Sequence, residues 1–375
     1  MTSTEKLLRA LVALPSVNPA FLPGGHKRAG EQNIAEFLAT VGARAGLDVD
    51  LQPVSPGRPN LIARLVPAGT VRQRILLAPH LDTIDGAEEL FTPVTRSGRL
   101  YGRGACDTKA SVTAMFSAMC ELAHGNRRPA GTEIIFAGLA DEEHAQAGSR
   151  AFAASGFKAD LAIIGEPTKL SVVTAHKGSV WVRVTTRGKS AHGSTPHFGK
   201  NAIHAIAPIV EALDGQYSAQ LAGQRHPLLG SATSNIGVIA GGTQANVVPD
   251  ACTIEIDRRT LPGETDETVK REVEGILKAR KLKADISLSK LAPCLPLETD
   301  PKLPLVQQFM RSVGQSKPRG ADFYCDAAVL SAAGIPSVVF GPGDIAQAHT
   351  ADEWVELEQL ERARRMLVEF LHSLP

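Results

Sequence analysis

The feature that most constrains this chain is a change of hydrophobic period partway along it. Up to about residue 175, short uninterrupted apolar runs recur: NLIARLVP at 60–67, RILLAPH at 74–80, EIIFAGLA at 133–140 and DLAIIGE at 160–166. Runs this short without a polar face suit strands buried on both sides. Segments of helical spacing separate them, at 4–13, 30–46, 109–124 and 148–155. Alternation of this kind predicts an α/β domain with a helix-covered, largely parallel sheet. After 175 the period becomes two. SVWVRVTTRG at 179–188 and ACTIEIDRRT at 251–260 alternate apolar with polar residues, and Cys252, Ile254 and Ile256 fall on one side. Helices fit 200–213 and 266–280, TSNIGVIAGG reads as a strand, and a last strand fits near 283–289. Strand, helix, two strands, helix, strand is a small α+β layer of ferredoxin-like order with one open sheet face. Buried-strand character returns in IPSVVFGPG at 335–343, before an amphipathic terminal helix. The expected organisation is one domain in two parts, 1–176 and 291–375, with the α+β domain inserted at 177–290.

Charge excludes some partners. Forty Lys and Arg oppose 39 Asp and Glu, a balance unlike the basic surplus of nucleic-acid binders. No apolar stretch approaches the ~18 residues of a membrane span. The opening MTSTEKLLRALVALPSVNPA lacks the basic and apolar regions of a secretory signal. Five scattered cysteines form no CxxC pair, so reduced thiols and a cytoplasmic location are expected.

Five short motifs carry candidate chemistry, and all lie beyond strand ends or in turns. His80-Leu-Asp82 closes an apolar run, and strand alternation puts both side chains on one side. An imidazole with a carboxylate on its second ring nitrogen is a common metal-ligand arrangement, although a strand-end His beside an Asp is often structural. Asp107 sits in YGRGACDTK at the entry to a helix, where it suits either a bridge between cations or an N-cap. Asp141-Glu142-Glu143 follows the 133–140 run, and Glu166 ends the 160–166 run. His349 follows a Gly341-Pro342-Gly343 turn. Open α/β sheets collect ligands beyond their strand ends. Two histidines and three carboxylates can hold two zinc ions with one carboxylate shared. Manganese or cobalt also fits such a mixed donor set.

In this order and context, the five motifs resemble the zinc amidohydrolase family that contains acetylornithine deacetylase, succinyl-diaminopimelate desuccinylase, aminoacylase and glutamate carboxypeptidase. The resemblance covers essentially the whole chain. It implies that His80 and Glu166 ligate one zinc, that Glu143 and His349 ligate the other, and that Asp107 bridges them. It further implies that Asp82 orients His80 and that Glu142 is the general base. Spacing alone does not separate the roles of Glu142 and Glu143. In the inserted domain, GKSAHGSTP places His192 where the family stabilises the oxyanion from a partner subunit, so the resemblance implies a homodimer through that domain. GGTQANVVP contributes Asn246. DRRTLPG contributes Arg259 as a two-pronged contact to a substrate carboxylate, with Arg258 as a competitor. Gly343 is a candidate for offering backbone groups to the substrate.

The family implies a small N-acyl amino acid or short peptide as substrate. The stretch from Tyr324 to His349 looks most like acetylornithine deacetylases, with succinyl-diaminopimelate desuccinylase second and a small peptidase third. Asp326 is expected either to read a cationic substrate tail or to cap the helix that AAVLSAAG predicts. Other hydrolase classes fit poorly, because the chain has neither GxSxG nor HExxH. Gly341-Pro-Gly343-Asp-Ile-Ala346 loosely fits a dinucleotide fingerprint, but no βαβ unit follows it. A non-catalytic relative acting as a binding subunit is expected to lack the base or a ligand, and both are present.

Overall fold

The computed structural model describes residues 4–125, 128–290 and 292–375. It resolves into two compact units. The first runs to Thr174 and includes Thr299–Arg319 and Cys325–Pro375; the second is Ala175–Glu298 with Gly320–Tyr324. The sequence boundaries were expected after 176 and 290.

The chain begins with α1 (Thr4–Val12) and α2 (Gln32–Arg44). Strands β1 (Asp48–Ser55), β2 (Arg58–Leu65) and β3 (Gln73–Pro79) lead to α3 (Lys109–His124). β4 (Thr132–Gly138), α4 (Ala147–Ala154), β5 (Leu161–Gly165) and β6 (Val173–His176) follow. The second unit contains β7 (Gly178–Arg187), α5 (Ala202–Ala212), β8 (Thr233–Gly241), β9 (Ala251–Thr260), α6 (Asp266–Ala279) and β10 (Asp285–Leu288). The chain then returns through α7 (Pro304–Ser312), α8 (Ala327–Ala332), β11 (Ser337–Val339) and α9 (Leu357–His372).

The large sheet of the first unit has the order β1-β2-β4-β3-β5-β11-β6. Its middle strands β4, β3, β5 and β11 are mutually parallel, and the flanking pairs are antiparallel. Every residue of β4 and β5 is buried, as the uninterrupted apolar runs require. Helix α3 is buried along most of its length and packs against α1 and α9. Ala110, Ala114 and Ala118 of this helix lie in the core, and Phe116 meets Phe136 of β4 edge to face.

The second unit is a four-stranded antiparallel sheet, β8-β9-β7-β10. Helices α5 and α6 cover one face and share a core with Val180, Val182, Val184, Cys252, Ile254 and Ile256. The other face carries Trp181, Arg183 and Glu255, with Arg183 paired to Glu255. This is the one-sided α+β layer that period-two alternation implies.

Two pieces of the first unit had no sequence signal. β1 is a half-exposed edge strand with Pro53 inside it and no apolar run. A small sheet joins 94–96, 99–101 and 354–356, and strands of three residues are too short to show a period. All five cysteines are free thiols.

One glycine sets how closely α4 approaches the β4 strand end. A Cβ on Gly148 would lie 2.4 Å from the backbone N and O of Ala140 and 2.5 Å from Asn60 Oδ1. Gly148→Ala is expected to push α4 off the segment that carries Asp141–Glu143, at a cost of about 1–3 kcal/mol from overpacking. A lowered midpoint in urea unfolding, with activity falling in parallel, is the measurement; an unchanged midpoint refutes the close-approach argument.

Candidate metal centre

Because β4, β3 and β5 are adjacent and parallel, their C-terminal ends lie at one edge of the sheet. Register aligns them: Pro79 pairs with Gly165, and His80 forms a parallel bridge to Leu139. His80 therefore leaves β3 between Glu166, which follows β5, and Asp141–Glu143, which follow β4. Asp107 comes from the glycine-rich turn that opens α3. His349 comes from a turn near the C-terminus and has a left-handed backbone, φ 64°.

The side chains converge. His80 Nε2 lies 3.1 Å from Asp107 Oδ1 and 3.8 Å from Glu166 Oε1. His349 Nε2 lies 3.0 Å from Glu143 Oε2 and 3.4 Å from Asp107 Oδ2. The two oxygens of Asp107 thus face different histidines. Ligand atoms of His80, Asp107 and Glu143, and of His80, Glu142 and Glu166, lie within 4.8 Å of one another. Glu143 Oε1 is buried and without a hydrogen-bond partner among the described residues. Burial and crowding by neighbouring carboxylates raise the proton affinity of Glu142 and Glu166, and Glu143 is pushed up to about 7. Oxygens and imidazoles this close, desolvated and incompletely paired, suit two divalent cations with Asp107 between them.

A buried polar network fixes this donor set. His80 Nδ1 donates to the Asp82 carbonyl at 2.9 Å, and the Asp82 carboxylate lies 3.5 Å away. That leaves Nε2 facing the other ligands. The Asp82 carboxylate also accepts from the backbone N–H of Glu142 at 3.0 Å and of Glu143 at 3.2 Å. Asn18 donates to both Asp82 and Asp141. Arg58 reaches Asp141 at 2.8 Å and holds buried Glu31 through two nitrogens. The Glu353 side chain, fully buried, accepts from Arg103 and from the backbone of Gly104, Cys106 and Asp107. Sequence reasoning missed Asn18, Glu31, Arg58 and Glu353. Asn18 sits among turn residues, and the other three read as ordinary surface charges.

Two expected substrate contacts look different in place. Asp326 precedes α8 but makes no side-chain cap bond. It is buried, accepts from Ser149 Oγ at 2.6 Å, and burial pushes its carboxyl up to about 7. Gly343 has its backbone groups committed: its N–H donates to Gln359 at 3.1 Å and its carbonyl accepts from Lys169 at 2.8 Å. The carbonyl keeps a second lone pair for a further donor. The turn still needs its glycines, since a Cβ on Gly341 would lie 2.5 Å from the Glu166 carbonyl.

Within the second unit, His192 and Asn246 come together. Gly193 N–H donates to the Asn246 carbonyl at 2.7 Å, and His192 bridges Val247. The exposed His192 ring holds Ser194 through Nδ1. Arg258 is fully buried and bonded to Tyr217 and Glu264. Arg259 on the opposite face has its side chain 34% exposed and spends Nε on Asp257. Its guanidinium lies 5.7 Å from the centre of the Tyr324 ring.

Known proteins share this architecture. A tripeptidase from Staphylococcus aureus matches with a TM-score of 0.80 at 22% identity, over 98% of this chain and 97% of that one. The M20 family metallo-carboxypeptidase Sso-CP2 from Sulfolobus solfataricus matches with 0.79 at 18% identity, over 99% of each. The YXEP protein of Bacillus subtilis, a dinuclear metal binding peptidase, matches with 0.71 at 16% identity, over 99% of this chain and 97% of that one. The sequence model of peptidase family M20/M25/M40 matches residues 76–373. With most of its length matched and its ligand-type side chains gathered at one sheet edge, the chain belongs to the M20/M25/M40 peptidase family and is a metal-dependent hydrolase of amide or peptide bonds.

Proposed function

We propose that the chain hydrolyses the amide of an N-acylated amino acid, with two zinc ions held by His80 and Glu166 on one side, Glu143 and His349 on the other, and Asp107 between. Cobalt or manganese would satisfy the same donors. The observation that carries the reading is Asp107, whose two oxygens face two different histidines. Bound there, the ions would lower the pKa of a water to roughly 7 and polarise the scissile carbonyl.

The chain's own groups would do the rest. Glu143 is engaged by His349, whereas the Glu142 carboxylate makes no hydrogen bond among the described residues. Its backbone is fixed by Asp82 and burial strengthens its hold on a proton. Glu142 is thus suited to take the proton of the attacking water and deliver it to the departing nitrogen. Arg259 keeps its two terminal nitrogens free of hydrogen bonds among the described residues, which suits a bidentate grip on a free carboxylate. Within this class a basic substrate such as N-acetylornithine is the best candidate. Asp326 supports it, with one oxygen on Ser149 and the other without a partner among the described residues. A short peptide is the second reading, because solved relatives include a tripeptidase and a carboxypeptidase.

His192 and Asn246 point to a dimer. The β7–β9 ladder runs from Ala251↔Arg187 to Arg259↔Ser179. Arg259 and the His192 end of the ladder are therefore about 27 Å apart, at ~3.4 Å per residue. One small substrate cannot span that distance. If both groups touch it, His192 comes from a second copy. Edge strand β8 exposes Val238 and Ile239, a surface that pairing of two copies would cover.

The function is tested with zinc-loaded protein on N-acetylornithine, N-acetylmethionine, N-succinyl-diaminopimelate and dipeptides. N-acyl amino acids are expected to turn over fastest. Glu142→Gln should keep both metals and lose ~10²–10⁴-fold in rate, and full activity in that variant ends the proposal. Arg259→Ala should fold normally and lose about 2–5 kcal/mol of substrate binding. Arg258→Ala should instead lose about 3–5 kcal/mol of folding stability, because it strands a buried partner. The opposite pattern would exchange the two arginines. Mixing inactive His192→Ala with inactive Glu142→Gln subunits should restore activity in hybrid dimers. No recovery after proven subunit exchange would place His192 in its own chain's chemistry or outside it.

A further inference from the structure

The two segments that bring Asp107 and His349 to the centre are otherwise irregular. Asp107 lies in a turn, and its peptide bond to Thr108 is cis. His349 has its side chain 53% exposed and its backbone in the left-handed region. Neither ligand sits on a helix or strand that would hold it. What holds them is a shared clamp. The backbone N–H of Gly102 donates to the Glu353 carbonyl at 3.0 Å, and residues 99–101 pair with 354–356.

The Glu353 side chain completes the junction. Its Oε1 accepts from the backbone N–H of Cys106 at 2.8 Å and of Asp107 at 3.0 Å. Its Oε2 accepts from Gly104 N–H at 3.0 Å and from Arg103 Nη1 at 2.8 Å. Arg103 Nη2 donates onward to the carbonyl of Thr350 at 3.2 Å, next to His349. Four donors fill the acceptor sites of a carboxylate, about two per oxygen. Glu353 therefore has no capacity left for a metal or a substrate, and it acts through other residues.

We propose that Glu353, with Arg103, is the positioning residue of the metal position shared by Asp107, Glu143 and His349, and sets its affinity. One carboxylate anchors the backbone of Asp107 and, through Arg103, the segment of His349. It makes the two ligands one preformed piece, so that little ordering remains to oppose metal binding. The position of His80 and Glu166 depends on it less, since His80 is held by Asp82 and Glu166 by its own strand end. The inference rests on the two-metal reading above.

The test titrates metal-free protein with zinc against a chromophoric chelator. The unaltered chain should take up two equivalents. Glu353→Gln keeps one acceptor oxygen but turns an NH₂ toward donors. It should weaken the position of Asp107, Glu143 and His349 by about 10–100-fold, the usual effect of losing an outer partner of a metal ligand, and that of His80 and Glu166 by less. Its turnover should recover at saturating zinc. Arg103→Lys is milder: it keeps a cation for Glu353 but gives up the planar fork that also reaches Thr350. It should weaken the same position by a few-fold, and it covers the case in which Glu353→Gln does not fold. A variant with a lower melting temperature in the metal-free state but two unchanged affinities would reduce Glu353 to fold support and overturn the proposal. So would an equal loss at both positions. A single equivalent in the unaltered chain would overturn the two-metal reading itself, an outcome separate from any effect of the variants.

Discussion

Everything at the centre of this protein follows from holding mutually repelling carboxylates together away from water. Asp107, Glu142, Glu143 and Glu166 gather around His80, with ligand atoms in the two groups within 4.8 Å of one another. Desolvation disfavours the charged forms of Glu142, Glu143 and Glu166, and proximity adds repulsion. Left alone, such a cluster would take up protons or splay apart. Divalent cations held there would resolve the conflict, because each would convert repulsion among oxygens into coordination. The parallel strands β4, β3 and β5 supply the geometry, since each releases its imidazole or carboxylate at the same edge. The surrounding hydrogen bonds supply the rigidity.

That rigidity is drawn from remote parts of the sequence. Glu31 at the start of α2, Arg58 in β2, Asn18 in the loop after α1 and Asp141 after β4 form one buried chain of contacts ending on Asp82. Asp82 in turn touches His80 and the backbone of both candidate acids at 142 and 143. A single carboxylate thus indexes His80 and the backbone of two adjacent acids, Glu142 and Glu143. Asp141 has a left-handed backbone, φ 68°, which is costly for a residue with a side chain. Its N–H donates to Glu31, and its carboxylate accepts from Asn18 and Arg58, which holds it there. The turn it makes is what sends Glu142 and Glu143 in succession toward the centre.

Much of this was legible beforehand, for identifiable reasons. Buried parallel strands write themselves as continuous apolar runs, and the second unit writes itself as alternation, so the layers and their order could be read. His80, Glu143 and Glu166 stood out because they sit at the ends of such runs, and the structure brings their side chains together. The supporting shell could not. Glu31 and Glu353 are buried charges and Arg58 a half-buried one, with partners 27 or more positions away, as with Arg58 and Glu31, and a pattern of neighbours along the chain carries no trace of that. Asp326 shows the same limit, because its Ser149 partner is 177 positions away.

The two arginines at 258 and 259 are a different case, since their distinction lies in parity. Cys252, Ile254 and Ile256 were already assigned to one face of β9, and side chains alternate along a strand. One further step of two puts Arg258 on the buried face, and the observed burial alternates without a break from Ala251 to Thr260. A guanidinium there must find partners inside the unit, and Tyr217, Glu264 and Glu272 provide them. Arg259, one position out of phase, meets the open face, and its terminal nitrogens make no hydrogen bond among the described residues. The same alternation that builds the core of the second unit therefore decides which of two adjacent cations is buried and which meets the open face.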